Sequence, residues 1–330
     1  MKHRLGAAFG VFALLVPPVA SAADPIEIDI DEWRVPYENS RPRDPAVAPD
    51  GRIWFVGQAG DYVGWFDPET AAFGRHPLPK GTGPHNVVVG DDGTLWYTGN
   101  LAHHIGRMDP ATGAIARIEM PDARARDPHT LVFDEGGDLW FTLQGANQVG
   151  YLDVDTRAVR LIDVPTPNAR PYGIIVDDDG RPWLNLLGSN KLATVDPANY
   201  ELTEITTPRA DARTRRIAVT AAGIWYVDWA QGRLGRSDPH DGTFEEWLLP
   251  GGVESRPYAM ATDAAGRVWV FETGGVPNRL VGFDPDSESF FAIGVIPSGG
   301  GSVRHAVYDS ATDTIWFGTD RNTLGRARLP

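Results

Sequence analysis

Cysteine is absent from the 330 residues of the chain, and basic residues are scarce relative to acidic ones. Without cysteine the chain can form neither disulfides nor thiolate metal sites, so strand pairing must hold its ends together. Long amphipathic helical patterns are also missing, which argues against a helical fold. Glycine and proline are plentiful instead, with 37 and 27 residues, and they favour short strands joined by tight turns.

The shortage of basic residues bears on the possible partners. The chain has 44 acidic and 30 basic residues, and two of the basic ones, Lys2 and Arg4, lie within the first 22 residues. The remainder therefore carries 28 basic against 44 acidic residues, a net charge of −16. Phosphate groups would be repelled by such a chain, so we expect no nucleic-acid partner and no binding to anionic membranes.

The first 22 residues have the three parts of a secretory signal peptide. Lys2 and Arg4 form a charged start, residues 5–19 an apolar run, and Ala20-Ser21-Ala22 a small-residue cleavage site. The run is too short to span a bilayer and contains two prolines. We predict a signal peptide at residues 1–22, a single domain at residues 23–330, no membrane span, and a periplasmic or secreted mature protein.

One sequence motif, a turn rich in Asp and Gly followed by a tryptophan, occurs seven times. The spacings between successive tryptophans are 42, 44, 43, 42, 44 and 47 residues. A period of this size with one Trp per repeat is typical of a β-propeller whose blades are four-stranded sheets. We predict an all-β, seven-bladed propeller with antiparallel blades. The tryptophans are Trp54, Trp96, Trp140, Trp183, Trp225, Trp269 and Trp316.

The two ends of the chain are predicted to complete one blade together. Residues 26–35 form a predicted strand without a Trp phrase of its own, and residues 31–36 resemble residues 245–250, which end the fifth repeat. The last repeat stops at Pro330, just after its third strand. The N-terminal strand should therefore supply the outer strand of blade 7 and close the ring.

Function is expected on the face that carries the blade-to-blade connections, because these loops vary and converge on the central funnel. The inner strands begin there, which puts His85, His129 and His305 at one position of the repeat. We predict a small-molecule or peptide-like ligand in the funnel and a monomeric protein. The predicted ligand contacts are His85, His129, Tyr172, Arg216, Tyr258, Trp229 and Arg304.

Carboxylates and imidazoles at one mouth are suited to a hard divalent ion or to acid–base chemistry. Glu272, His305 and Asp320 lie on adjacent predicted blades and are the tightest such group in the sequence. No motif points to an organic cofactor.

The repeat resembles that of the virginiamycin B lyase (streptogramin B lyase) family. The resemblance rests on Pro-His at the blade start, then Asp-Gly-x-Leu-Trp-Phe-Thr, and then Ile-Gly-Arg with Asp-Pro-x-Thr-Gly. The clearest copy runs from Pro84-His85 through residues 92–98 to residues 105–113. The resemblance implies a magnesium-dependent lyase that opens a cyclic depsipeptide by elimination, with Mg²⁺ stabilising the developing enolate.

Position by position, the match to the family's functional groups is partial. The resemblance assigns His305 as the base, with Asp320 as the acid that follows the last tryptophan. Tyr258 stands where the family has a histidine, and Val303 where it has a glutamate. Glu272 is a candidate replacement, so His305 and Asp320 are the predicted catalytic residues, and Glu272 and Asp320 the predicted Mg²⁺ ligands. These two substitutions argue against a streptogramin as the substrate. Another ester or lactone is the alternative substrate.

Two other functions stay open at this point. The two substitutions favour a non-catalytic propeller of the cell envelope that binds a peptide, glycan or protein. The third hypothesis is a lactonase like the gluconolactonases, whose calcium is held by Glu, Asn, Asn and Asp. The residues available for such a site are Glu272, Asn185, Asn100 and Asp228.

Overall fold

A computed structural model describes residues 24–330, and the predicted signal peptide lies outside the described residues. Its strands form seven separate sheets around one axis, as the Trp repeat predicts. Each sheet is a blade in which four strands lie side by side from the axis to the rim, each antiparallel to its neighbour. The only helix in residues 24–330 is a 3-10 turn at Val253–Ser255, and none of the described helices could cross a membrane.

The strand bounds follow the repeat closely. The N-terminal strands are β1 (Ile26–Glu27) and β2 (Ile30–Arg34). Blade 1 contains β3 (Pro42–Val47), β4 (Ile53–Gly57), β5 (Tyr62–Asp67) and β6 (Ala72–Pro77). Blade 2 contains β7 (Pro84–Val89), β8 (Leu95–Gly99), β9 (His104–Met108) and β10 (Ile115–Glu119). Blade 3 contains β11 (Pro128–Phe133), β12 (Leu139–Leu143), β13 (Gln148–Leu152) and β14 (Val159–Asp163).

The remaining blades continue in the same order. Blade 4 contains β15 (Pro171–Val176), β16 (Pro182–Leu186), β17 (Lys191–Val195) and β18 (Leu202–Thr206). Blade 5 contains β19 (Thr214–Thr220), β20 (Gly223–Asp228), β21 (Arg233–Ser237) and β22 (Phe244–Leu248). Blade 6 contains β23 (Pro257–Thr262), β24 (Val268–Glu272), β25 (Arg279–Asp284) and β26 (Ser289–Val295). Blade 7 contains β27 (Val303–Asp309), β28 (Thr314–Thr319), β29 (Thr323–Arg328) and β2.

The repeated tryptophans pack between blades. All seven lie on the second strand of a blade and are at most 4% exposed, within clusters that combine residues of two neighbouring blades. Several indole N–H groups donate to the carboxylate of the preceding turn, for example Trp183 to Asp177 at 2.7 Å and Trp269 to Asp263 at 2.8 Å. The acids of these turns therefore have a structural role.

The N-terminal segment closes the ring as predicted, but it divides into two strands. Strand β2 pairs antiparallel with β29, from Ile30 opposite Ala327 to Arg34 opposite Thr323. Strand β1 pairs in parallel with β26, so blade 6 gains a fifth strand. Gly294 permits this approach, since a Cβ atom there would lie 2.8 Å from Cβ of Ile28. The segment thus joins blades 6 and 7.

Trp33 fixes the closing strand, and its removal tests the closure. Its ring lies 4.9 Å from that of Phe66 in blade 1 and 5.6 Å from that of Trp316 in blade 7. We expect Trp33→Ala to lower the free energy of unfolding by about 3 kcal/mol, because the change leaves a cavity between the first and last blades. Urea unfolding measures the loss. Leu248→Ala, at a 46% exposed position, is the control and should change little.

Candidate functional site

Two layers of side chains cross the axis where the inner strands begin. The ladder register aligns the blades, because Pro84, Pro257 and Val303 each pair with the last residue of the second strand. The first layer, nearest the mouth, consists of Arg43, His85, His129, Tyr172, Arg215, Tyr258 and Arg304. The second layer consists of Asp44, Asn86, Thr130, Gly173, Arg216, Ala259 and His305.

This register corrects the predicted position of His305. Val303 occupies the place of the proline in the Pro-His phrase, so Arg304 is the counterpart of His85 and His129. His305 lies one residue deeper, in the layer of Arg216. Blade 7 begins with Val303 rather than with a proline. Without a proline to mark the start of the inner strand, His305 was predicted to lie in the first layer.

A buried carboxylate organises the second layer. Asp44 is completely buried and accepts hydrogen bonds from Arg43 Nε at 3.1 Å, Asn86 Nδ2 at 3.2 Å and Arg216 Nη2 at 3.3 Å. Burial alone would raise the pKa of Asp44, but the charges of Arg43 and Arg216 outweigh it and hold the pKa well below its usual range. Arg216 also donates to the backbone carbonyl of Arg304 at 2.9 Å, so it connects blades 1, 5 and 7.

Aromatic rings of the first layer close the axis above this network. The rings of His85 and His129 lie 3.6 Å apart, His129 and Tyr172 lie 4.2 Å apart, and the hydroxyls of Tyr172 and Tyr258 are hydrogen-bonded. These four side chains are only 3–6% exposed. A ligand can therefore touch this layer only from the mouth.

The axial histidines are neutral at neutral pH. Desolvation by burial, followed by the charges of Arg43 and Arg216, holds the pKa values of His85 and His129 well below the usual range. The same causes lower the pKa of His305 to about 4. Nδ1 of His85 and of His305 is buried without a hydrogen-bond partner in residues 24–330.

Of the two first-layer tyrosines, Tyr258 is the one whose pKa is lowered. Burial opposes its ionisation, but the charges of Arg43 and Arg215, the hydrogen bond from Tyr172 and the charge of Arg216 outweigh burial and lower its pKa. The Arg215 guanidinium lies 4.5 Å from the centre of the Tyr258 ring. The partner, Tyr172, has its pKa raised by burial and by Tyr258. Within the pair, Tyr258 is therefore the more readily ionised tyrosine.

The three residues predicted to form a metal and acid–base group do not meet. Asp320 forms ion pairs with Arg304 and, at 3.7 Å, with Arg41, and it lines a cavity of about 670 Å³ between blades 7 and 1. Glu272 is buried and accepts from Arg279 Nε at 2.8 Å and from the Gly251 amide at 2.6 Å. His305 lines a different cavity, of about 450 Å³, formed by the later residues of the inner strands.

The four candidate calcium ligands of the lactonase hypothesis do not form a common site either, because they are engaged in separate local contacts. Asp228 accepts three backbone N–H groups, from residues 213, 230 and 231, and Asn100 donates to Asp127 and to the carbonyl of Pro128. Asn185 is completely buried within blade 4. In residues 24–330 no group of three or more His, Asp or Glu side chains could hold a metal ion.

Arginines around the mouth are the feature that sequence reasoning missed. Arg41, Arg170 and Arg256 each precede the proline that starts an inner strand, and all three have a left-handed backbone with φ between 45° and 56°. Arg213 stands at the corresponding place in blade 5, before Thr214. The signal was available as an Arg-Pro dipeptide at three of the seven blade starts. These arginines gather at the mouth although the whole chain is acidic.

Comparisons with known proteins agree with this architecture. A model of the virginiamycin B lyase family matches residues 25–195, just over half of the chain. Virginiamycin B lyase from Staphylococcus aureus superposes with a TM-score of 0.81 at 21% identity, covering 92% of this chain and 100% of that one. A catalytically inactive variant of that enzyme with quinupristin gives 0.83 at 20% identity, covering 92% and 100%.

More distant propellers also superpose. Hydrazine synthase of Kuenenia stuttgartiensis gives a TM-score of 0.70 at 15% identity, covering 89% of this chain and 97% of that one. At these identities the superpositions show the fold alone. No curated protein sequence matches the chain.

Proposed function

Since the chain belongs to the virginiamycin B lyase family, we propose that it opens an ester or lactone bond by elimination at the mouth of the propeller, with Tyr258 as the base. The observation that supports this is the environment of Tyr258. It stands at the inner-strand start where the family resemblance places a histidine. Its pKa is lowered by the surrounding arginines, and Arg215 lies against its ring.

The reaction needs a base and a stabiliser of negative charge. The Tyr258 phenolate takes the proton from the carbon next to a carbonyl, the C–H electron pair forms a C=C bond, and the C–O bond to the neighbouring carbon breaks. The released acyl group leaves as a carboxylate, and Tyr258 ends as the neutral phenol. The guanidinium of Arg215 stabilises the negative charge that develops on the carbonyl oxygen.

The residues present do not fit the magnesium ion that the family resemblance implies. Asp320 and Glu272 are both occupied by arginine partners, and the described residues contain no three-member group of ligands. Mg²⁺ dependence and the base role of His305 stay predictions, and the proposed reaction uses neither. We propose that the reaction takes place in the periplasm or outside the cell, and the predicted signal peptide supports this location.

Mass spectrometry distinguishes elimination from hydrolysis. The purified protein is incubated with a streptogramin B and with simple lactones and acyloxy esters. Elimination in a ring leaves the mass unchanged and creates a C=C bond, whereas hydrolysis adds one water. We expect an elimination product and a loss of about 100-fold in kcat/KM for Tyr258→Phe, the scale of a missing general base. Tyr308→Phe, at the far end of β27, is the matched control and should retain activity. Equal rates for Tyr258→Phe and the wild type would contradict the base role.

A non-catalytic binding propeller is the second candidate. The observation that favours it is the near-complete burial of the first layer, which leaves little of Tyr258 accessible from the mouth. Ligand binding with no product from any of these substrates, at any enzyme concentration, would select this function over the lyase.

A further inference from the structure

The guanidinium of Arg215 is stacked between two aromatic rings at the mouth. It lies 4.6 Å from the centre of the Trp229 ring and 4.5 Å from that of Tyr258. Arg256 lies against Trp229 as well, at 5.1 Å. Such stacking fixes the plane of a guanidinium and leaves the N–H groups at its edge free to bind. The stack is therefore a rigid, oriented set of donors.

The charge of Arg215 is not neutralised within the described residues. Several other arginines around the axis have acidic partners: Arg304 and Arg41 pair with Asp320, Arg256 with Glu254, and Arg216 with Asp44. In residues 24–330 Arg215 forms no ion pair, and its Nε is buried without a hydrogen-bond partner. An unsatisfied donor and an uncompensated charge both favour a bound acceptor that is negatively charged.

We propose that Arg215 binds a carboxylate of the substrate, held between Trp229 and Tyr258. A carboxylate matches the paired N–H groups of a guanidinium, so the two form parallel charge-assisted hydrogen bonds. The substrate class is an ester or lactone with a free carboxylate on the carbon that loses its proton. Pairing with Arg215 neutralises that carboxylate, which makes the adjacent C–H more acidic and places it beside Tyr258. The catalytic part of this inference rests on the proposed function, and the binding part does not.

A matched pair of probes tests the inference by calorimetry. N-acetyl-O-acetylserine carries a carboxylate next to the labile C–H and an acetate leaving group, and its methylamide has the same body without the charge. Both are titrated into Tyr258→Phe, which is not expected to turn them over. We expect the acid to bind at least 10-fold more tightly than the methylamide. Arg215→Gln should remove this preference, whereas Arg170→Gln, at an exposed mouth position, should change it less than 2-fold.

A second variant guards against a general folding defect. Trp229→Ala keeps the charge of Arg215 but removes one side of the stack, so we expect affinity for the acid to fall several-fold with an unchanged melting temperature. Equal affinity for acid and methylamide, or a preference that survives Arg215→Gln, would overturn the inference and leave the lyase proposal intact. Selective binding of the acid with no conversion by the wild type would overturn the lyase proposal and leave the carboxylate site standing.

Discussion

Replacing Asp44 by asparagine is expected to destabilise the propeller by about 3–5 kcal/mol. The carboxylate is completely buried and faces two buried guanidinium groups, those of Arg43 and Arg216. Removing its charge leaves two cations without compensation in a dry environment, which costs far more than the net value of an intact pair. Urea unfolding at pH 7.5 measures the loss.

Asparagine makes this a clean test of charge. Asp44 has a φ of 49°, and asparagine tolerates the left-handed region as readily as aspartate, so the backbone need not move. Asp50→Asn is the control, because its exposed ion pair with Arg52 should contribute almost nothing. Adding Arg216→Gln to Asp44→Asn should recover part of the loss, since one unpaired charge disappears. A loss below about 1 kcal/mol would show that the axial network does not depend on this charge.

The fold was predictable because each repeat carries the same physical signals. A tryptophan such as Trp183 fills the space between blades in every repeat, and the Asp of the turn before it accepts an indole or backbone N–H. The missing outer strand of the last repeat also predicted the pairing of β2 with β29. The parallel pairing of β1 with β26 could not be foreseen, because two residues carry no pattern of their own.

The site was harder to predict because its geometry depends on one-residue differences. The connection between the first two strands is one residue longer in blade 7 than in blade 2, since Val307 pairs with Trp316 but Val88 with Trp96, so a fixed spacing from the tryptophan misplaces the inner strand by one residue. His305 consequently lies among the second-layer residues rather than beside His85. Glu272 and Arg279 face each other across one hairpin, and Asp320 pairs with Arg304 of the same blade, so both carboxylates are occupied by arginines that the sequence reasoning did not consider as partners.

Acid should destabilise the protein steeply, well above the pH at which most carboxylates titrate. His85, His129 and His305 have folded-state pKa values below the ordinary 6.5, with that of His305 at about 4. The unfolded chain therefore binds more protons than the folded one between these values. Stability is complete above pH 6.5 and is lost as the pH falls toward 4. Each neutral histidine contributes a slope of up to about 1.4 kcal/mol per pH unit, so three give up to about 4.

His104, buried in blade 2, also has its pKa lowered by desolvation and adds a slope of the same sign in the same interval. The carboxylates modify the profile at its acid end. Asp44 keeps its charge because its folded pKa is lowered, and it adds a loss of the same sign only near and below the ordinary pKa of 3.8. Asp127 and Asp228 have pKa values raised by burial and act in the opposite direction, also at low pH. The interval between pH 6.5 and 5 therefore reports mainly on the histidines.

Unfolding free energies at pH 7.5, 6.5, 5.5 and 4.5 test this expectation. Folded domains are typically stable by only about 5–15 kcal/mol, so a slope of this size should bring the protein close to unfolding by about pH 4.5. His85→Gln removes one of the three groups and should flatten the slope by about 1.4 kcal/mol per pH unit. His240→Gln, at an exposed turn, should leave the slope unchanged. A free energy of unfolding that stays constant from pH 7.5 to 5 would mean that the axial histidines take up protons in the folded state as readily as in the unfolded chain. The proposed charge balance around Asp44 would then be wrong.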